Sequence, residues 1–302
     1  MNVSLVLQVA YTIVACFLGL LGNTLVLHAT QTTRTSFKVD KITVFLIRNL
    51  AISDWLYIVL VVLPSANCYL GNEWHLGNFT CYFVAFVGTW LASANLHFLL
   101  FVAAHRFLKC VAPWKVYKLS KQHIIVIGIA IWVYSGGKIM ILAAMGCGIK
   151  YIPDVYRCGV DYVDFGHEHP PVLLFVWVIG KWIPFTLIIV LNVCLLVIAR
   201  IRFGRTTNRG LTMILSISLV LTVAWIPPFL YSILGAVRHP TLTAPGRIVL
   251  FELAAYNFYM IGLFANPIVY GFRDKHFQAY IKKNCERLRA SCTPTPPSVE
   301  WG

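Results

Sequence analysis

Charged residues are scarce in this chain of 302 residues: Asp, Glu, Lys and Arg make up 12%, while hydrophobic residues make up 59%. Soluble globular domains carry about 25% charged and about 45–50% apolar residues. The shortage of charge therefore excludes an ordinary soluble domain. It predicts an integral membrane protein, which buries its apolar surface in lipid and in contacts between its own helices.

Several kinds of functional motif are also missing. The nine cysteines form no CxxC pair and show no metal-ligand spacing, which argues against a zinc site or a dense disulfide framework. The chain has no HExxH or GxSxG motif, no paired carboxylates and no Cys–His nucleophile arrangement, so we do not expect an enzyme. His167-Glu168-His169 resembles a metal site only weakly, because no third ligand is evident, and is interpreted as a solvated loop.

The chain does have seven apolar runs of membrane-spanning length, bounded by charged residues, Pro or Gly. None of them alternates polar and apolar residues as a β-barrel strand would, so all seven are predicted to be helices. The predicted spans are residues 4–30, 41–66, 81–107, 122–145, 171–201, 210–237 and 247–272.

The cations are distributed unevenly between the two ends of these runs. Nineteen of the 25 Lys and Arg residues follow the first, third, fifth and seventh runs, at residues 31–48, 106–121, 200–209 and 273–289. Because cytoplasmic loops carry the excess of Lys and Arg, this places the N-terminus outside the cell and the C-terminus in the cytoplasm. We therefore interpret the net charge of +14 as a surface for inner-leaflet lipids and a protein partner, not for nucleic acid.

Residues 272–285 follow the seventh run and place apolar residues between cations, at the spacing of a short helix on the membrane surface. The chain ends in a proline-rich segment that favours disorder. We predict an all-α membrane domain over residues 1–285, with the surface helix at 272–285, and a disordered cytoplasmic tail over 286–302.

Asp54 lies midway along the second predicted span, where a carboxylate costs about 2.5–3.5 kcal/mol. It must therefore face a polar interior, and its candidate partners are Asn23, Asn95 and Asn266. Two interpretations are open. These side chains hold the bundle together by hydrogen bonds, or they form a hydrated pocket that binds a cation such as Na⁺.

Prolines interrupt three of the predicted spans. Pro184 lies in the fifth, Pro227 follows Trp225 in the sixth, and Pro267 follows Asn266 in the seventh. Proline removes a backbone hydrogen bond and kinks a helix. Three such positions, each beside a polar or aromatic residue, predict helices that bend.

Together, the motifs along the chain resemble those of the rhodopsin-like (class A) G-protein-coupled receptors over nearly its whole length. They are Gly22-Asn23, Leu50-Ala51-Ile52-Ser53-Asp54, Trp74…Gly77…Cys81, Trp132, Pro184, Trp225-Ile226-Pro227, Asn266-Pro267-Ile268-Val269-Tyr270 and Phe272-Arg273-Asp274-Lys275-His276-Phe277.

The resemblance implies a seven-transmembrane helix bundle with a short amphipathic eighth helix, located in the plasma membrane. It implies that binding of an extracellular ligand activates a heterotrimeric G protein, with membrane lipids and arrestin as further partners. A membrane transporter or channel is the alternative class, but the odd number of runs and the absence of an inverted repeat disfavour it. The residues implied in the switch and in G-protein coupling are His105, Arg106, Trp225, Pro227, Asn266, Pro267 and Tyr270.

The resemblance also implies a disulfide between Cys81 and a cysteine in the second outer loop, for which Cys158 fits best. Such a bond forms in an oxidising compartment and holds that loop over the mouth of the bundle. Cys68 and Cys147 also lie near the outer face and are candidates for a second bond.

Four residues are candidates for covalent modification. Asn2 and Asn78 begin glycosylation sequons, and both fall on the predicted outer side. Cys285 and Cys292 follow the surface helix and are candidates for palmitoylation.

One motif departs from the family. The acidic-Arg-aromatic triplet reads His105-Arg106-Phe107 here, so the acid that normally restrains the Arg is missing. Residues 206–208, at the inner end of the sixth run, supply no acid either. We therefore expect high agonist-independent signalling, unless His105 and backbone carbonyls restrain Arg106 equally well.

The ligand pocket also departs from two kinds common in the family. Gly88 occupies the place of the aspartate that binds amines in aminergic relatives, and residues 252–270 contain no lysine to which retinal could attach. We therefore expect a ligand that is neither an amine nor retinal, bound near Gly88 and Trp225.

Two lysines lie in the outer halves of spans, Lys138 in the fourth and Lys181 in the fifth. An ionisable residue inside a span indicates a functional site by default. Together they could neutralise a carboxylate, a sulfate or a peptide C-terminus, giving a small acid, a lipid or a peptide as ligand. Alternatively, either lysine extends to the headgroups, or Glu252 and the acidic outer loop bind a basic peptide.

Overall fold

A computed structural model describes residues 3–32, 41–71, 73–152, 157–160, 170–203, 223–227, 229–230, 245–273 and 277–280, together with residues 282, 284 and 286. Asn2, Cys285, Cys292, the segment 161–169 and the predicted tail after residue 286 lie outside the described residues. So does most of the sixth predicted span. Glu252 and Tyr270 are described by their backbone alone.

Within this part of the chain, most residues are helical. We label the helices in chain order: α1 (Val3–Thr32), α2 (Lys41–Tyr57, continued through Ile58–Val62, Leu63–Ser65 and Ala66–Leu70), α3 (Gly77–Val111), α4 (Lys121–Ala144), α5 (Pro170–Trp177, Val178–Trp182 and Ile183–Phe203), α6 (residues 223–227 and 229–230) and α7 (Pro245–Arg273). A short helix, Pro113–Tyr117, lies between α3 and α4, and two strands, β1 (Ile149–Ile152) and β2 (Arg157–Val160), lie between α4 and α5.

Five of the described helical segments are long and apolar enough to cross a membrane. They match the first five predicted spans, and α7 lies where the seventh was predicted. These segments are Leu5–Gln31, Lys41–Tyr69, Gly77–Val111, Lys121–Ala144 and Val178–Ile198.

The α3 helix extends beyond the predicted span 81–107 at both ends, from Gly77 to Val111. The prediction followed the apolar run, whereas a helix ends where its backbone can no longer continue. Pro113 disfavours a helical conformation at Ala112, which closes α3 there. At the start of α4, the Ser120 side chain accepts a hydrogen bond from the His123 backbone N–H at 3.3 Å and caps the helix.

Two helices contain a widened π-helical turn just before a proline. Ile58–Val62 continues α2 and precedes Pro64, and Val178–Trp182 precedes Pro184 in α5. Proline has no N–H, and its ring crowds the carbonyl four residues earlier, so the regular hydrogen-bond pattern cannot persist. A π-helical turn accommodates that loss locally. Beyond Pro64, α2 ends as a 3-10 helix at Leu70.

The α3 helix is the centre of the bundle, packing against α2, α4, α5 and the β1–β2 hairpin, while α1 packs against α2 and α7. Two apolar clusters fill the interior. One surrounds the fully buried Phe98, and the other surrounds Ile58 and Met260. Large apolar side chains such as Phe17 and Val133 are exposed on the outside of the bundle, as expected for helices that face lipid.

A close approach of α1 and α7 depends on a glycine. A Cβ placed on Gly22 would lie 2.5 Å from the Pro267 Cβ, whereas a Cβ on Gly137 in α4 would meet nothing within 4 Å. A side chain at Gly22 therefore forces two helix backbones apart, and one at Gly137 does not.

We predict that Gly22→Ala destabilises the folded protein by about 1–3 kcal/mol, because overpacking at a helix contact forces the backbone to move. Gly137→Ala is the matched control and should be neutral or slightly stabilising, since Ala is the better helix former. The measurement is the thermal unfolding temperature of each variant in detergent. Equal melting temperatures for both variants would contradict the packing argument.

Candidate functional site

A polar cluster lies in the middle of the bundle. Asp54 is 2% exposed and accepts a hydrogen bond from Asn95 Nδ2 at 2.7 Å and one from Asn266 Nδ2 at 3.3 Å. These donors come from α3 and α7, so one carboxylate joins three helices. Charge-assisted hydrogen bonds of this kind are stronger than neutral ones. The structure thus brings Asp54, Asn95 and Asn266 together as the sequence predicts.

Asn23 belongs to the same region but does not bond Asp54. It is 1% exposed, and its Nδ2 donates to the backbone oxygens of Gly19 at 2.9 Å and of Leu263 at 2.8 Å. Among the described residues, neither Asn23 Oδ1 nor Asn266 Oδ1 accepts a hydrogen bond. Two amide oxygens and a carboxylate in one buried region are the kind of oxygen ligands that a hard cation prefers.

A cavity of about 170 Å³ lies on the hairpin side of this cluster. It is lined by α2, α3, α4, α5, α6 and α7 and by the β2 strand. Of the predicted pocket residues, Gly88, Lys138, Lys181 and Trp225 all line it. The Glu252 side chain is outside the described residues.

Lys138 points into the bundle rather than toward the headgroups. Its Nζ donates to Ser93 Oγ at 2.8 Å and lies 5.9 Å from the centre of the Tyr134 ring. A Cβ on Gly180 would lie 2.7 Å from the same nitrogen. The glycine in the π-helical turn of α5 thus leaves the space that the ammonium occupies.

Three cations from different elements line this cavity. Lys181 follows Gly180 directly, so its backbone is next to the Lys138 ammonium. Arg157, on β2, is the third, and its guanidinium lies 5.6 Å from the centre of the Tyr256 ring. Among the described residues that line the cavity there is no Asp or Glu. An anion entering the cavity would therefore meet cations and, among the described lining residues, no carboxylate.

The hairpin carries the predicted disulfide. Cys81 and Cys158 are bonded, with their Cα atoms 5.3 Å apart, and this confirms the pairing. In the antiparallel register, Tyr151 lies opposite Cys158. Cys68 and Cys147 are both buried and neither forms a disulfide, so the second bond that the sequence left open is absent.

The predicted switch residues lie at several levels of the bundle. His105 and Arg106 are 3% and 9% exposed near the end of α3. Trp225 lies in α6, with its ring centre 5.5 Å from that of Tyr259. Pro267 lies inside α7 next to the buried Asn266. Pro227 is in α6 and Tyr270 in α7.

Asn78, the described one of the two predicted glycosylation sites, is exposed in the first turn of α3.

Sequence reasoning missed several cavity residues. Arg157 was not among the predicted pocket residues, although its position next to Cys158 was a usable signal, because the disulfide holds that strand against α3. The hydroxyl-bearing Ser65 and Tyr259 also line the cavity. No sequence signal identifies them, since a Ser or Tyr in a span is as often directed elsewhere.

Known proteins resemble this chain along most of its length. A family model described as the seven-transmembrane receptor of the rhodopsin family matches residues 22–270. The G-protein coupled receptor 183-B of Danio rerio is 30% identical over 187 residues, which cover 61% of this chain and 50% of the relative. The match thus spans half the length of that receptor.

Other relatives are more distant but align over more of the chain. The allatostatin-A receptor of Bombyx mori is 25% identical over 88% of this chain and 75% of the relative. The neuropeptide Y receptor type 6 of Oryctolagus cuniculus is 23% identical over 91% of this chain and 78% of the relative.

The family match agrees with the fold. The family implies a seven-helix bundle that crosses the plasma membrane several times, and its members are signalling receptors rather than enzymes. The apolar helices, the disulfide from α3 and the matched residues 22–270 are consistent with that architecture. The chain therefore belongs to the rhodopsin family of seven-transmembrane receptors.

Proposed function

We propose that this protein is a receptor that binds an extracellular ligand with an anionic group and in response activates a heterotrimeric G protein. The observation that carries the proposal is the lining of the cavity. It places Lys138, Lys181 and Arg157 around one space, with no Asp or Glu among its described lining residues.

The position of Lys138 supports an anion in particular. An ammonium inside a span is costly and persists where it serves a function. The hydrogen-bond partner of Lys138 is the Ser93 hydroxyl. This hydroxyl accepts from one of the three N–H donors of the ammonium, and it is neutral, so it supplies no opposite charge. An incoming carboxylate would form a charge-assisted hydrogen bond with it, which is roughly twice as strong as a neutral one.

The ligand can be a small acid, an acidic lipid or the C-terminal carboxylate of a peptide, since all three carry the same charged group. Several relatives are named for peptides, among them receptors for allatostatin-A, neuropeptide Y and somatostatin. A basic peptide is disfavoured, because it would meet the cations of the cavity. A transporter or channel, the alternative class, is disfavoured by membership of a receptor family.

The orientation follows from the cations: the N-terminus lies outside and the C-terminus in the cytoplasm. Arg106 and the basic inner face then meet the G protein when α6 moves outward, and arrestin uses the same face. In the amphipathic segment, Phe277 packs in the inner apolar cluster and the Tyr280 hydroxyl bonds His28 Nδ1 of α1. These contacts favour an eighth helix on the membrane surface, with Cys285 and Cys292 available for palmitoylation.

Lys181→Gln should abolish the response to an anionic agonist, because it removes a cation from the cavity while keeping a polar side chain. The measurement is ligand-stimulated GTPγS binding in membranes that contain a panel of G proteins, with small acids and peptides as ligands. Lys150→Gln, an exposed lysine on β1, is the matched control and should respond as the unmodified protein does. An unchanged response in Lys181→Gln would contradict an anion site.

We further propose high basal activity. His105 stands where the family pattern has the acid that restrains the arginine. The side chains of His105 and Arg106 are both buried, and an acid at position 105 would supply the negative charge that the family pattern places there.

His105→Asp should therefore lower agonist-independent GTPγS binding severalfold at matched surface expression, and His105→Asn, which is similar in shape but uncharged, should not. Basal exchange that is low in the unmodified protein, or equal in both variants, would count against this proposal.

We also propose that the polar cluster binds Na⁺. The Asp54 carboxylate and the oxygens of Asn23 and Asn266 supply the ligands, and no hydrogen bond from another described residue competes for those two amide oxygens. Sodium chloride should raise the melting temperature relative to choline chloride at equal ionic strength. Asp54→Asn should remove that difference, since it removes the negative charge. A sodium effect of the same size in Asp54→Asn would place the ion elsewhere.

A further inference from the structure

The cavity has two ends of different chemistry. At one end, Lys138 and Ser93 meet Gly180 and Lys181 between α3, α4 and α5. At the other end are aromatic side chains from α2, α6 and α7, with the Arg157 guanidinium of β2 beside the Tyr256 ring. A molecule that fills the whole space therefore meets cations at both ends and aromatic rings at one.

The aromatic end is built from three packed rings. The centres of Tyr57 and Tyr259 are 4.8 Å apart at an interplanar angle of 63°, and those of Trp225 and Tyr259 are 5.5 Å apart at 85°. Edge-to-face packing of this kind suits the charge distribution of aromatic rings. It also leaves ring surfaces along the cavity against which another ring can pack.

Two residues that line the same cavity carry hydroxyls with no partner among the described residues. Tyr259 is 8% exposed and Ser65 is 4% exposed, and neither hydroxyl oxygen has a hydrogen-bond partner in the part of the chain that the structure describes. Buried polar atoms are nearly always bonded, so these two hydroxyls, on residues that line the cavity, call for a polar group that is brought in from outside.

The size of the cavity limits the ligand. Its volume of about 170 Å³ is below the roughly 300–1,000 Å³ of pockets for drug-sized molecules. It is close to the about 150 Å³ of an engineered cavity that binds benzene. Between the described lining residues, this volume suits one ring with a short acidic side chain, whereas a fatty acid or a peptide would extend beyond it.

We propose that the ligand is a small aromatic acid with a hydrogen-bonding substituent on its ring. Its carboxylate bonds Lys138 and Lys181, its ring packs against Tyr57, Trp225 and Tyr259, and its polar substituent bonds the hydroxyls of Ser65 and Tyr259. This inference rests on the proposed function, since it takes the cavity to be the ligand site, and it selects one ligand class among those left open there.

The test measures direct binding to the full chain in lipid nanodiscs by calorimetry, separately from G-protein activation. The aromatic probes are para-hydroxyphenylacetate and indoleacetate. Relative to para-hydroxyphenylacetate, phenylacetate lacks the hydroxyl and tyrosol lacks the charge; relative to phenylacetate, cyclohexylacetate lacks the aromatic ring. Octanoate and a tetrapeptide with a free C-terminus represent the other acidic classes. We expect an aromatic probe to bind at least tenfold more tightly than its uncharged analogue, as charged hydrogen bonds imply.

Variants identify the contacts. Lys138→Gln should weaken binding of the aromatic acid at least tenfold, and Lys121→Gln, at the opposite end of α4 and exposed, should leave it unchanged. The combined variant Ser65→Ala and Tyr259→Phe should bind para-hydroxyphenylacetate no better than phenylacetate, whereas the unmodified protein prefers the former. This double-mutant comparison isolates the hydroxyl contact, and melting temperatures confirm that each variant is folded.

The outcomes separate the two proposals. If octanoate or the peptide binds through Lys138 and no aromatic acid binds, the aromatic class is wrong and the anionic-ligand receptor stands. If no acid binds but basal GTPγS exchange is present, the anion site is wrong and G-protein coupling stands. If aromatic acids bind with the expected variant effects but never alter GTPγS exchange, the ligand class stands and the signalling function is wrong.

Discussion

The hydrogen bonding of one buried carboxylate constrains the whole bundle. A charged oxygen inside a membrane protein must be bonded, because neither lipid nor an apolar core can solvate it. Asp54 meets this need with amides from two other helices, Asn95 on α3 and Asn266 on α7. The rotation of α2, α3 and α7 about their own axes, and their depth in the membrane, are therefore fixed relative to one another. Since α3 also packs against α4 and α5, this constraint extends to the helices that carry the cationic end of the cavity.

The prolines also determine the shape of the cavity, because they change the geometry of the helices that contain them. Pro64 and Pro184 each follow a π-helical turn, and the turn in α5 contains both Gly180 and Lys181. A regular helix would advance each residue by 100°, so a widened turn changes which side chains face the bundle after it. Pro184 removes one backbone hydrogen bond from α5, and the π-helical turn that accommodates this loss contains Lys181, which lies close to Lys138. The proline therefore determines where charge is placed in the cavity as well as where the helix bends.

Much of this arrangement could be predicted from sequence, for reasons that differ between residues. Apolar runs located the described spans. The cost of charge in lipid predicted an inward-facing Asp54 and made Lys138 and Lys181 pocket candidates, with extension to the headgroups as the alternative. Helix ends at Gly77 and Val111 could not be read from hydropathy, because they depend on backbone geometry. Arg157, Ser65 and Tyr259 were missed because their roles depend on which face of an element they occupy. That is a property of the packed bundle and not of any single segment.

The disulfide between Cys81 and Cys158 also makes the maturation of this receptor a two-stage process. Insertion into the bilayer needs only apolar helices, so the bundle can assemble before any thiol is oxidised. Arg157, however, is held at the cavity by the strand that the disulfide attaches to α3. Chains that leave the oxidising compartment unpaired would therefore be inserted, yet would not have Arg157 held at the cavity. Under the proposed function, oxidation in the secretory route thus governs ligand recognition independently of how many copies are made.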